Sequence, residues 1–97
     1  MEQQDQGKSV LVRIEGRVQG VWYRGWTVDE ATRRQLSGWV RNRSDGSVEA
    51  LFSGPQSMVD AMLEACWQGP SAARVSKVTP QPAPPPDHSG FRALPTL

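Results

Sequence analysis

"SVLVRIEGRVQGVWYRGW", Ser9 to Trp26, changes its period part-way along. Up to Gly16, apolar and polar residues alternate: Val10, Val12 and Ile14 fall on one side, Leu11, Arg13 and Glu15 on the other. That is the pattern of a half-buried strand. Gly16 and Gly20 then interrupt it, and from Tyr23 to Leu36 good helix formers follow, with Asp29 and Glu30 giving an acidic first half. The helix carries an imperfect apolar stripe, since Val28 falls off the side shared by Tyr23, Trp26 and Ala31. Glycines between a strand and a helix let the chain curl, so that successive N–H groups turn inward beside the unsatisfied N–H groups of the helix start. Such a turn is an anion cradle. Arg24, in the first helical turn, adds a planar, permanently charged fork suited to phosphate. Spacing alone leaves two readings open, a phosphate cradle clamped by Arg24 or a turn that merely needs glycine. The stretch is not a Walker loop, because no Gly-Lys-Ser/Thr follows, and it lacks the glycine pattern of the dinucleotide fingerprint.

Outward from this unit the chain alternates again. "SGWVRN" begins a second strand at Gly38, "SDG" (Ser44 to Gly46) signals a turn, and "SVEALFSG" alternates through Val48, Ala50 and Phe52. Together they predict a hairpin. A second helix is expected to open with Pro55 as its first residue and to bury Met58, Val59, Met62, Leu63 and Cys66, before Gly69 and Pro70 stop it. A strand over Arg74 to Thr79 has Val75 and Val78 three apart, which predicts a bulge. "PQPAPPP", Pro80 to Pro86, is expected to stay out of any sheet ladder as an extended spacer, and "FRAL", Phe91 to Leu94, to return as a short edge strand. The order is β-α-β-β-α-β, an α+β ferredoxin-like sandwich with two helices on one face of an antiparallel sheet. It forms a single domain over residues 1–97, with a polar N-terminal extension (1–7) and a Pro-rich segment (80–90) before the last strand. That fold hosts unrelated functions, so the site must decide.

Composition narrows the classes. With 97 residues there is room for one core and no second lobe. Cys66 is the single cysteine, which rules out an intrachain disulfide and a Cys-rich metal site and suits a reducing cytoplasm. The polar start "MEQQDQGKS" is not a signal peptide, and no apolar run reaches membrane-spanning length. The net charge of +1 conceals an asymmetry: eight Lys or Arg between Lys8 and Arg43 face three acids, while the flanks carry three basic and seven acidic residues. A basic first half suggests that an anion is handled early in the chain, although a solvated helix face would look the same.

"GRVQGVWYR", Gly16 to Arg24, resembles the signature of the small acylphosphatases, Gly-x-Val-Gln-Gly-Val-x-aromatic-Arg. "GWVRNRSDGSVEALFSG", Gly38 to Gly54, resembles their second signature, in the right order and separation. The resemblance spans about residues 8 to 80 and implies the ferredoxin-like sandwich together with hydrolysis of a carboxyl-phosphate bond. It places the catalytic arginine on Arg24 and the catalytic asparagine on Asn42. It lays the phosphate loop over Gly16 to Trp22, with N–H groups from Gln19, Gly20, Val21 and Trp22. Two departures stand out: helix 1 ends in Arg34 and Gln35 where the family often has an apolar residue and a glycine, and the Pro-rich segment is longer than usual.

The residues suit that chemistry. An acyl phosphate leaves as a carboxylate whose conjugate acid has a pKa near about 4, so no general acid is needed. The one histidine, His88, sits in the Pro-rich tail. Phosphoryl transfer is mostly positioning and charge stabilisation. Asn42 can both accept from and donate to an attacking water; on its own, before "RSDG", it reads as a turn residue. Cys66 reads as a small core hydrophobe. No metal or other cofactor is expected. The expected partners are a small acyl phosphate and, as product and inhibitor, inorganic phosphate, with no nucleic acid, no membrane and a monomeric chain. Two alternatives remain: a ferredoxin-like RNA-binding module, for which "SVEALFSG" offers one aromatic, Phe52, on the core face where stacking aromatics are wanted, and a non-catalytic domain that binds acyl or carbamoyl phosphate, which the lack of further domains in the chain disfavours.

Overall fold

The period-2 alternation after residue 9 becomes the inner face of a sheet. In the computed structural model, which describes residues 6–97, Val10, Val12 and Ile14 are no more than 4% exposed. Of the polar extension, residues 1–5 lie outside the described residues, and Gly7 already belongs to a strand. The elements are β1 (Gly7–Arg17), α1 (Tyr23–Arg33), β2 (Ser37–Asn42), β3 (Val48–Pro55), α2 (Gln56–Gln68), β4 (Arg74–Pro82) and β5 (Phe91–Ala93). Their order across the sheet is β4-β1-β3-β2-β5. Val40, Val48, Ala50 and Phe52 join the inner face and meet Ala31 of α1 and Val59, Met62 and Cys66 of α2. β1, β3, β2 and β4 pair antiparallel, as the fold class requires. The fifth strand makes the sheet mixed, because β5 runs parallel to β2. Phe91 holds it there by stacking on Phe52, with ring centroids 5.5 Å apart, a pairing worth about 0.5–1.5 kcal/mol beyond burial.

Three boundaries differ from the sequence reading. Pro55 is not the first helical residue but the N-cap of α2 and the last residue of β3; at φ −57°, ψ 139° it is extended. Helix α1 stops at Arg33 instead of Leu36, and its acids sit mid-helix, with none in the first turn. The stop is a Schellman motif: the Leu36 N–H donates to Ala31 O at 2.9 Å and the Gln35 N–H to Thr32 O at 2.9 Å. Gln35 takes the left-handed position, φ 59°, that glycine usually marks, so the sequence carried no stop signal there.

The Pro-rich segment is the third. Pro80 and Pro82 do join the ladder, opposite Val12 and Val10 of β1. β4 is an edge strand, and the Ala83 N–H donates to Ser9 O at 3.1 Å. With N–H groups alternating along a strand, the nitrogens of Pro80 and Pro82 face the open edge, where no donor is missed. Residues 83–90 then cross from one sheet edge to the other. Four strand spacings of about 4.8 Å make roughly 19 Å, and an extended proline-rich run of that length reaches about 25 Å. The spacer is therefore long because the two strands it joins sit at opposite edges. The bulge in β4 is present too: Lys77 faces Glu15 and Val75 faces Gly16, which leaves Ser76 unpaired.

Candidate active site

The topology brings the two signature segments to one end of the sheet. β1 and β2 both run antiparallel to β3, so they are parallel to each other, and β5 is parallel to β2. The glycine loop leaves the carboxyl end of β1, Asn42 is the last residue of β2, and Ala93 is the last of β5. All three meet in a cleft of about 330 Å³ lined by Val18, Gln19, Gly20, Trp22, Tyr23, Arg24, Gly25, Asn42 and Ala93. Five of the six expected site residues line it. The exception is Val21, whose side chain turns away and packs against the core. Ala93 was not legible beforehand, since nothing in "FRAL" indicates which strand it joins.

The loop has the backbone of an anion nest. Gly20 (φ 74°) and Trp22 (φ 69°) are left-handed on either side of Val21, and alternation of hand turns consecutive N–H groups to one side. Among the described residues, no backbone carbonyl accepts from the N–H groups of residues 19–22. The Gln19 side chain points elsewhere, and its Nε2 donates to Arg43 O and to Ser47 O, both at 2.8 Å. This ties the loop to the β2–β3 hairpin, directly behind Asn42. Gln19→Glu replaces that donor with a carboxylate facing two carbonyl oxygens. Leaving such partly buried groups unpaired costs about 1–3 kcal/mol, or on the order of 5–20 °C in a domain this size. A melting temperature lowered by that amount, with kcat reduced in parallel, is the expected result; unchanged melting and kinetics would show the tie to be idle.

Charge pairing sorts the basic half of the chain. Lys8 pairs with Asp60, Arg13 with Asp45 and Glu15, Arg33 and Arg34 with Glu30, and Arg41 and Arg43 with Glu49. The basicity read from the sequence is thus mostly neutralised within the fold. Among the described residues, the cations of that half without a carboxylate partner are Arg17 and Arg24, one at each end of the glycine loop. Arg24 is exposed and stands in the first turn of α1, where the helix dipole is positive and a cation is disfavoured. A group placed there against the local field, without an acid beside it, leaves its charge open to an external anion.

Asn42 is freed from the turn that follows it. That turn is closed by Asp45, whose Oδ1 accepts from the Ser47 N–H at 2.9 Å and the Ser47 hydroxyl at 2.6 Å. These bonds and the Arg13 guanidinium hold the Asp45 carboxyl well below the usual carboxylate range. The Asn42 main chain is pinned from both sides, by pairing with Val48 and by its carbonyl accepting from the Leu97 N–H at 3.1 Å. Its side chain makes no hydrogen bond to any described residue.

Tyr23 anchors the helix that carries Arg24. It is 1% exposed and donates to Cys66 O at 2.6 Å, against the far end of α2. Burial pushes the Cys66 thiol up to about 12, so it stays protonated at neutral pH and is no nucleophile. Among the described residues, no three of His, Cys, Asp and Glu gather as a metal site requires, and no helix is long and apolar enough to cross a membrane.

Proteins of known name and structure share this sequence pattern and this architecture. A family model described as Acylphosphatase matches residues 10–93. A Rhodospirillum rubrum protein named acylphosphatase is 58% identical over 90 residues, which cover 93% of this chain and 99% of that one. The solved structure of an acylphosphatase from Coxiella burnetii superposes with a TM-score of 0.88 at 35% identity, covering 97% of this chain and 100% of that one. The acylphosphatase of Bacillus subtilis superposes at 0.85, with 32% identity and coverage of 92% and 99%.

Proposed function

The chain belongs to the acylphosphatase family and hydrolyses the carboxyl-phosphate bond of acyl phosphates; we propose that it does so with a phosphate cradle at residues 19–22, Arg24 as clamp and Asn42 as the group that places the water. The observation that carries this reading is Arg24, a cation at the positive end of α1 with no carboxylate partner among the described residues, beside loop N–H groups that have no acceptor among them either. The phosphoryl oxygens take those N–H groups and the guanidinium fork, which spread and neutralise the charge of the transition state. Asn42, across the cleft, accepts a hydrogen bond from the water through Oδ1 and donates one through Nδ2.

The water oxygen forms its bond to phosphorus as the bond from phosphorus to the acyl oxygen breaks. The electron pair leaves with the carboxylate. Because that carboxylate is stable unprotonated at neutral pH, no side chain has to donate a proton. The proton of the water passes to a phosphoryl oxygen of the substrate. Inorganic phosphate, the product, occupies the same cradle and competes with substrate. All groups of the mechanism come from one chain, which works as a monomer in the reducing cytoplasm.

The test is hydrolysis of acetyl phosphate by the purified full chain in excess chelator. Sustained turnover is expected, with inorganic phosphate a competitive inhibitor. Turnover that stops on chelation and returns with a divalent ion would overturn the mechanism.

A further inference from the structure

Trp22 is 63% exposed, more than any other large apolar side chain described. It also sits in the left-handed region, φ 69° and ψ 24°, which bulky L-residues rarely adopt. At this N-cap position its side chain makes no capping hydrogen bond, so it does not serve the helix. Its orientation is nevertheless defined. A β-carbon added to Gly25 would collide with Trp22 Nε1 and lie 2.7 Å from Cε2 and 2.8 Å from Cδ1. The Nε1 edge of the indole is therefore seated on Gly25 in the first turn of α1, in space that only a glycine leaves open. Both residues line the cleft. The ring pairs among the described residues, Tyr23 with Trp26 and Phe52 with Phe91, do not include Trp22.

An indole held open in this way offers an aromatic face at the rim of the cradle. With the phosphoryl group seated on the loop, the acyl group must project outward from the cleft, past this ring. We propose that Trp22 is a specificity-determining residue, a shelf on which the acyl group of the substrate rests. The shelf selects acyl phosphates with a flat, apolar acyl group over those with a short aliphatic one. The gain is dispersion and stacking against the ring, which aromatic pairs realise beyond simple burial. This rests on the assignment of the cradle to the phosphoryl group.

The experiment compares kcat/KM for benzoyl phosphate and acetyl phosphate in the full chain, in Trp22→Ala and in Trp22→Phe. Comparing the benzoyl-to-acetyl ratio between variants cancels both the different reactivity of the two mixed anhydrides and any general loss at the loop. Trp22→Ala is expected to lower that ratio about three- to tenfold, and Trp22→Phe to retain most of it. Gly25→Ala, which forces the indole off its seat, should shift the ratio in the same direction as Trp22→Ala. A ratio unchanged in Trp22→Ala, whatever the overall turnover of the variant, overturns the shelf and leaves the cradle standing. If the wild-type chain turns over neither acyl phosphate and does not bind inorganic phosphate, the cradle assignment falls and the shelf with it.

Discussion

Arg24→Ala is expected to lose nearly all turnover, on the order of 10³–10⁵ in kcat, the range for a single arginine that stabilises a phosphoryl-transfer transition state. The side chain has no carboxylate partner among the described residues and stands exposed at the start of α1, so its removal leaves no buried charge behind. The melting temperature should hold or rise, because a cation is lost from the positive end of a helix. Phosphate affinity, read by calorimetry, should fall together with kcat, since the same fork holds product and transition state. Arg24→Lys should recover little, because an ammonium is a point charge and cannot make two parallel bonds to one phosphoryl group. Phosphate affinity near normal in Arg24→Ala would move the anion site elsewhere.

Asn42→Ala should act on a different quantity. If Asn42 places the water, its contribution is made mainly in the transition state, and kcat and kcat/KM fall together. Loss of one such polar contact typically costs 10²–10³-fold, about 3 kcal/mol. Phosphate should still bind, because the cradle and Arg24 are untouched. Melting should scarcely change, since Asp45 closes the turn and the Asn42 side chain takes no part in it. The opposite pattern, lower melting with normal turnover per folded molecule, would make Asn42 a turn residue and leave water placement unassigned.

Both candidate residues were legible in the sequence, but for unequal reasons. Arg24 was marked by the residues themselves, as a cation directly after a glycine loop at a helix start, although spacing alone left a plain glycine turn equally open. Asn42 was legible through the second signature, since an asparagine before "RSDG" is by itself an ordinary turn residue. The Asp45–Ser47 pair closes that turn without the Asn42 side chain, which is why we propose the water-placing role for it. Gln19 shows the converse. The family pattern marked it as an N–H donor, whereas the hydrogen bonds of its side chain tie the loop to the hairpin that carries Asn42.

The features settled by sequence alone are those with local causes. Alternation at period 2 placed Val10, Val12 and Ile14 on the core face, and helical spacing placed Val59, Met62 and Cys66 there, though not Met58 of the same expected stripe, which is exposed; pleat and helix pitch are properties of a few adjacent residues. Decisions between distant segments belonged to the tertiary structure. Pro80 and Pro82 entered the ladder because β4 is an edge strand, and edge position depends on every other strand. β5 paired in parallel with β2 and brought Ala93 to the cleft because Phe91 found Phe52 buried beneath it. Lys8 and Arg13 were neutralised by the distant acids Asp60 and Asp45, Arg41 and Arg43 by Glu49 across the β2–β3 hairpin, and Arg33 and Arg34 by Glu30 within α1. Arg24 stands out only after that pairing, because ion pairs form through space while the sequence reports charge in order along the chain.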